Sequence, residues 1–163
     1  MGNAGTWPAE DMSLEAMTDE RWRRTMADNL DALFYTARAA ARAVVDGGRI
    51  VLVSSTAGQR GEAFHADYAA AKGAMISLVK SLCIELAPRG ITVNSVAPGW
   101  VDTEMTASVL SGEYRERAAR AIPVGRIASA DDVAGPVVFL CSAMARHITG
   151  EILNVNGGSV LCG

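Results

Sequence analysis

Lysine is scarce in this sequence: Lys72 and Lys80 stand against thirteen arginines. A basic excess is absent too, since 15 basic residues face 18 acidic ones and the formal net charge is −3. That balance argues against a dominant nucleic-acid surface, which needs cations to displace the counterions of phosphate. No apolar run approaches the roughly 18 residues that a membrane span requires. No charged segment followed by an apolar stretch opens the chain, so no secretory signal is read. Cys83, Cys141 and Cys162 lie far apart and form no C-x-x-C pair, which excludes a zinc knuckle or thioredoxin motif. No metal site is expected. The odd cysteine count fits a reducing cytoplasm, and Cys83 and Cys141 read as buried small hydrophobes. The 16 glycines include no G-x-G-x-x-G and no G-x-x-x-G-x-G, so a phosphate-cradling turn of that kind is not found.

What is present is one domain's worth of chain: 163 residues, half of them hydrophobic and 20% charged. Thr18 is placed to cap a helix running to about residue 45, which Gly47-Gly48 stops. Residues 49–54 form a short β-branched run that reads as a buried parallel strand. Residues 55–66 read as a loop, and a helix follows over about 67–86. Residues 91–96 are the next strand, closed by Pro98-Gly99. The stretch 102–128 is polar, with short helical patterns broken at Pro123 and Gly125. A helix over 131–144 carries Pro136, and 151–155 is a last strand before Gly157-Gly158. Strands separated by helices imply an α/β fold with right-handed crossovers and a parallel sheet. Ligands of such sheets sit at the carboxyl ends of the strands, where Ser55 and Pro98-Gly99 both fall.

The chemistry concentrates at Tyr68 and Lys72. Four residues apart on a helix, they share one face. With three tyrosines and two lysines, that spacing is expected roughly 0.04 times by chance. A phenol titrates near pH 10, too high to shed its proton readily at neutral pH, and a neighbouring ammonium favours the phenolate. Such a phenol can donate a proton to a forming alkoxide or take one in reverse. Ser55, thirteen residues earlier at a strand end, can hydrogen-bond the same oxygen. Lysine suits the site better than arginine because its compact ammonium carries three donors that can also hold ribose hydroxyls.

Tyr68-Ala69-Ala70-Ala71-Lys72 resembles the Y-x-x-x-K of the short-chain dehydrogenase/reductases. The stretch from Gly48 to Ser55 resembles that family's catalytic-serine strand. Asn3-Ala4-Gly5 resembles the end of its N-N-A-G motif, with Gly2 replacing the first Asn. Asp28-Asn29-Leu30 matches its helix asparagine, and the segment from Pro98 to Thr103 its P-G-x-[IV]-x-T cofactor loop. Ile148-Thr149-Gly150-Glu151 and Asn156-Gly157-Gly158 resemble its C-terminal signature. The likeness covers essentially the whole chain.

The resemblance implies Tyr68 as general acid/base, Lys72 lowering its pKa and holding the nicotinamide ribose, and Ser55 positioning the substrate oxygen. Asn29 would hold a water in a proton relay. Val101 would meet the nicotinamide carboxamide through its backbone, in a loop opened by Pro98 and Gly99. Thr103 would contact the carboxamide or the phosphates. Asn3 and Gly5, flanking Ala4, would lie near the adenine ribose. It implies NADP or NAD, with NADP favoured, and reduction of a keto group or oxidation of the corresponding alcohol. Ala121-Ile122-Pro123-Val124-Gly125-Arg126 and the ending most resemble 3-oxoacyl-acyl carrier protein reductases, which implies a carrier-bound or free small-molecule substrate and a tetramer.

Relative to that family, roughly the first third is missing, including the glycine-rich turn and the residue that selects NAD or NADP. The chain therefore reads as a single partial Rossmann-like domain over 1–163, the C-terminal, catalytic half of a doubly wound parallel sheet. Weak or no turnover is expected of it alone. The alternative is a non-catalytic remnant that joins partners through the helices at 18–45 and 67–86. Met105, Val109, Leu110 and Tyr114 could form an apolar lid or simply pack. His65 could touch substrate or be a plain loop histidine. Arg60 could attract an anion or belong to a solvated loop. His147 reads as a surface residue.

Overall fold

The computed structural model describes residues 1–161; Cys162 lies outside them. The first helix, α1 (Asp19–Met26), starts where the Thr18 hydroxyl accepts from the Arg21 N–H at 3.2 Å, with Asp19 and Glu20 favourably placed in its first turn. It passes through a π turn, Ala27–Asp31, into α2 (Ala32–Ala43). The sequence predicted this as one unbroken helix. A π turn leaves no mark on hydrophobic spacing over so few residues, and such turns gather at functional positions.

Beyond it come β1 (Arg49–Val53), α3 (Thr56–Arg60), α4 (Ala66–Glu85), β2 (Thr92–Pro98), α5 (Gly112–Ala121), α6 (Ala130–Cys141) and β3 (Ile152–Val155). The three strands form a parallel sheet in the order β1-β2-β3, with Val51 opposite Asn94 and Ser95 opposite Ile152. On the other side of β1, Gly2 bridges to Leu52: its N–H donates to the Val51 carbonyl at 2.9 Å and its carbonyl accepts from Val53 at 2.9 Å. Residues 1–3 thus lie along the sheet, which carries Asn3 and Gly5 to its carboxyl end.

Side chains alternate along β1, so Ile50 and Leu52 face one layer and Val51 the other. The first layer packs against Leu33 of α2 and Met75 and Val79 of α4. The second packs under α6 through Val137 and Leu140. β2 is buried throughout, as the central strand between two helical layers should be. α6 is opened by a capping box in which the Ser129 hydroxyl accepts from Asp132 N–H at 3.2 Å and Asp132 accepts from Ser129 N–H at 2.7 Å.

Two expectations change. The loop read over 55–66 contains the five-residue helix α3. A helix that short is marginal alone and is held by packing on α4, which local pattern cannot show. Cys83 is buried as expected, but Cys141, at the end of α6, is exposed. Among the described residues no helix is long and apolar enough to cross a membrane, and no group of three His, Cys, Asp or Glu side chains could hold a metal ion.

Candidate active site

A cleft of about 920 Å³ opens at the carboxyl ends of the strands. Ser55, Tyr68 and Lys72 line one wall. Ser55 ends β1 in extended conformation and caps α3, its hydroxyl accepting from the Ala57 N–H at 3.1 Å. Tyr68 and Lys72 come from successive turns of α4, with the Lys72 Nζ over the Tyr68 ring, 5.6 Å from its centroid. Ser54, next to Ser55, turns inward instead and donates to the Lys72 carbonyl at 3.0 Å.

Lys72 is 4% exposed, and Nζ donates to the Val53 carbonyl at 3.2 Å. Burial pulls its ammonium down to about 8. The expectation that this ammonium would bring the phenol down is not met in the free chain. Burial pushes Tyr68 above 10.0, the Ser55 hydroxyl pulls it back, and the Glu62 carboxylate pushes it further up. Burying the phenolate is the largest cause, and Nζ, over the ring and tied to Val53, is not among the groups that lower it.

Asn29 lies in the π turn, fully buried behind the cleft. Its Oδ1 accepts from the Thr6 N–H at 3.1 Å and its Nδ2 donates to the Thr25 carbonyl at 3.1 Å. Gly5 explains itself here: a Cβ on it would stand 2.7 Å from Asn29 Oδ1 and 3.2 Å from Lys72 Nζ. Asn3 and Gly5 line the cleft, whereas Ala4 between them does not.

Pro98, Gly99, Val101 and Thr103 line the opposite wall. Their loop is closed by Thr106, which the sequence did not single out. Its hydroxyl donates to the Val101 carbonyl at 2.6 Å and accepts from the Thr103 N–H at 3.2 Å. Of the lid candidates, Met105 lines the cleft and is about half exposed, while Leu110 is buried in the fold.

Other features also escaped the sequence. Asp67, fully buried beside Tyr68, accepts from Thr25 Oγ1 at 2.8 Å and from Arg21 Nε at 3.1 Å. Burial alone raises its carboxyl, but Thr25, Arg21 and the Tyr68 N–H outweigh this and hold it below 3.8. This pins the start of α4 to α1. His65 does not reach the cleft. It is buried, hydrogen-bonded to the Pro8 carbonyl at 2.7 Å, and stacked on Trp7 at 4.6 Å. Trp7 does line the cleft, as does Trp100. Arg60 is paired with Glu62 at 3.0 Å rather than free in a loop, and Gln59 is tied to Asn154 at 2.7 Å. His147 is exposed, as read.

The family model described as enoyl-(acyl carrier protein) reductase matches residues 1–160. Three solved structures resemble the chain at TM-scores of 0.88 to 0.90, two of them bearing the name short-chain dehydrogenase/reductase. The chain belongs to the short-chain dehydrogenase/reductase family. One of those structures, a short-chain dehydrogenase/reductase of the glucose/ribitol dehydrogenase type from Brucella melitensis, is 36% identical and covers 98% of this chain and 63% of its own. Among curated relatives, the 3-oxoacyl-[acyl-carrier-protein] reductase FabG of Salmonella typhimurium is 42% identical over 97% of this chain. L-rhamnose 1-dehydrogenase (NAD(P)(+)) of Azotobacter vinelandii is 40% identical over 97%. The chain spans 64% and 62% of the length of these two relatives.

The residues present suit the nicotinamide end of a dinucleotide. Nζ of Lys72 has three donors but gives one hydrogen bond, to Val53, while lining the cleft, so it can serve ribose hydroxyls. No carboxylate pairs with it among the described residues, and burial lowers its affinity for the proton. The Val101 carbonyl is taken by Thr106. The backbone N–H at the same position gives no hydrogen bond among the described residues, and would be free to serve a carboxamide.

Proposed function

We propose that this chain is the catalytic part of an NAD(P)-dependent ketoreductase, a partial Rossmann-like domain over 1–163, working in either direction between a ketone and its alcohol. The observation that carries the reading is the meeting of Tyr68, Lys72 and Ser55 in one cleft with the Val101 loop opposite. A bound nicotinamide cofactor, NADP or NAD, supplies or accepts the hydride. The Tyr68 hydroxyl gives its proton to the carbonyl oxygen as it becomes an alcohol, and recovers one in the reverse direction. The Ser55 hydroxyl donates a hydrogen bond to the same oxygen and fixes its position between the two donors. Lys72 holds the ribose and stabilises the phenolate that proton transfer leaves behind. Asn29, tied to Thr6 and Thr25, keeps the N-terminal segment and Gly5 near Lys72, and would hold a water in a proton relay.

The likeness to FabG brings a 3-oxoacyl group on acyl carrier protein as the first substrate to try. Assembly as a homo-tetramer is part of the same reading. It is supported by the exposed side chains of Phe34 and Tyr35 on α2 and Ile84 on α4.

The test is nicotinamide oxidation by the full-length enzyme, including any coding sequence upstream of Met1, with a 3-oxoacyl thioester. Tyr68→Phe should lower kcat by about 10²- to 10⁴-fold, the usual worth of a positioned proton donor, and leave cofactor affinity nearly unchanged. A Phe variant with undiminished kcat contradicts the proposal.

A further inference from the structure

The cleft carries a set of rings that the proton chemistry does not use. Trp7 lies nearly parallel to His65, with centroids 4.6 Å apart and planes 16° from parallel. His65 is itself held by Pro8, so the indole is backed by a fixed surface. Trp100 meets Trp7 edge-on at 5.6 Å and 83°. Tyr114 in turn meets Trp100 edge-on at 6.0 Å and 86°. Both indoles are half-buried and both line the cleft with Ser55 and Tyr68. The result is a braced pair of indoles at right angles, lining the same cleft as Ser55 and Tyr68.

Such a corner discriminates by shape. A planar ring can lie along one indole and present its edge to the other, gaining ring–ring contacts on both. A flexible acyl chain gains no such contacts and loses rotor freedom on being ordered. Charge points the same way. Among the described residues lining the cleft, the basic side chains are Lys72 and Arg60, and Arg60 is already paired with Glu62 at 3.0 Å. Glu62 and Glu104 also line it, so the opening offers no spare side-chain cation to an anionic tether.

We propose that the substrate is an uncharged ring ketone, its carbonyl on or beside a planar ring system, and that Trp7 and Trp100 are the residues that select it over a straight 3-oxoacyl thioester. The inference rests on the ketoreductase reading and narrows it. His65 and Tyr114 are positioning residues that brace the two indoles.

The experiment compares 1-tetralone with S-acetoacetyl-N-acetylcysteamine as ligands of the purified chain in a Trp22→Phe background, so that Trp7 and Trp100 are the fluorescent indoles. Trp22 lies on α1, away from the cleft lining. Tetralone should bind about tenfold more tightly than the thioester. Trp7→Leu and Trp100→Leu should each weaken tetralone by about tenfold, the equivalent of roughly 1.4 kcal/mol, while changing thioester binding less than about twofold. Trp7→Phe and Trp100→Phe, which keep a flat ring, should recover most of the loss and guard against misfolding of the Leu variants. Equal affinity for the two ligands, or tetralone binding indifferent to all four changes, overturns the inference. The full-length enzyme separates this from the underlying reading. If it reduces the thioester without preferring tetralone, the inference fails and the ketoreductase stands. If it binds tetralone at the corner but reduces neither ketone, the ketoreductase reading fails.

Discussion

Lys72 is the residue on which the site's energetics turn. Its folded-state pKa of about 8 lies below the ordinary 10.5. Below pH 8 the ammonium is charged in both folded and unfolded chains, and burying it destabilises the fold. Between about 8 and 10.5 the unfolded chain binds more protons, so stability rises with pH across that window. Lys72→Met should therefore stabilise the chain at pH 7 by about 2 kcal/mol, after allowing for the lost bond to Val53. That advantage should vanish above about pH 10.5. Urea unfolding at the two pH values checks this, and a Met variant less stable than the parent at pH 7 contradicts it. Tyr68, Lys72 and Ser55 were legible in the sequence because four-residue helical spacing and a strand end place them locally. Asp67 and Arg21 were not, since their pairing joins residues 46 apart. Trp7 and Trp100 read as ordinary aromatics until the fold brought them to one corner.

At the scale of elements, the wall that carries Ser55, Tyr68 and Lys72 depends on how closely α3 approaches α4. A Cβ on Gly58 would come within 2.5 Å of the Lys72 carbonyl carbon and 2.7 Å of its oxygen. These are backbone atoms of the helix that carries Tyr68, and they cannot swing aside. Gly58→Ala should cost about 1–3 kcal/mol through overpacking, seen as a lower denaturation midpoint with an unchanged m-value. A neutral Gly58→Ala would mean that α3 is not seated as described. The strands and long helices were readable because β-branched runs and caps mark them. α3 and the π turn at Ala27–Asp31 were not, because tertiary contact with α4 rather than propensity holds them.

For the whole molecule, two helical layers on a parallel sheet bring three distant segments to one edge: the N-terminal segment that carries Gly5, the β1 end with Ser55, and the loop after β2. The parallel topology was readable from alternating patterns, while the seating of residues 1–3 beside β1 was not, because a single bridge at Gly2 carries no period. The proposal at the centre of the site is that the Lys72 charge sustains proton transfer by Tyr68. Its most direct test is the pH dependence of kcat/KM for ketone reduction by the full-length enzyme. The rate should fall about tenfold per pH unit above roughly 8, as the Lys72 ammonium that would stabilise the Tyr68 phenolate loses its proton. In Lys72→Arg, which stays charged, the limb should move beyond pH 10. A limb that stays in place in Lys72→Arg, or a rate flat to pH 10 in the parent enzyme, would contradict the claim.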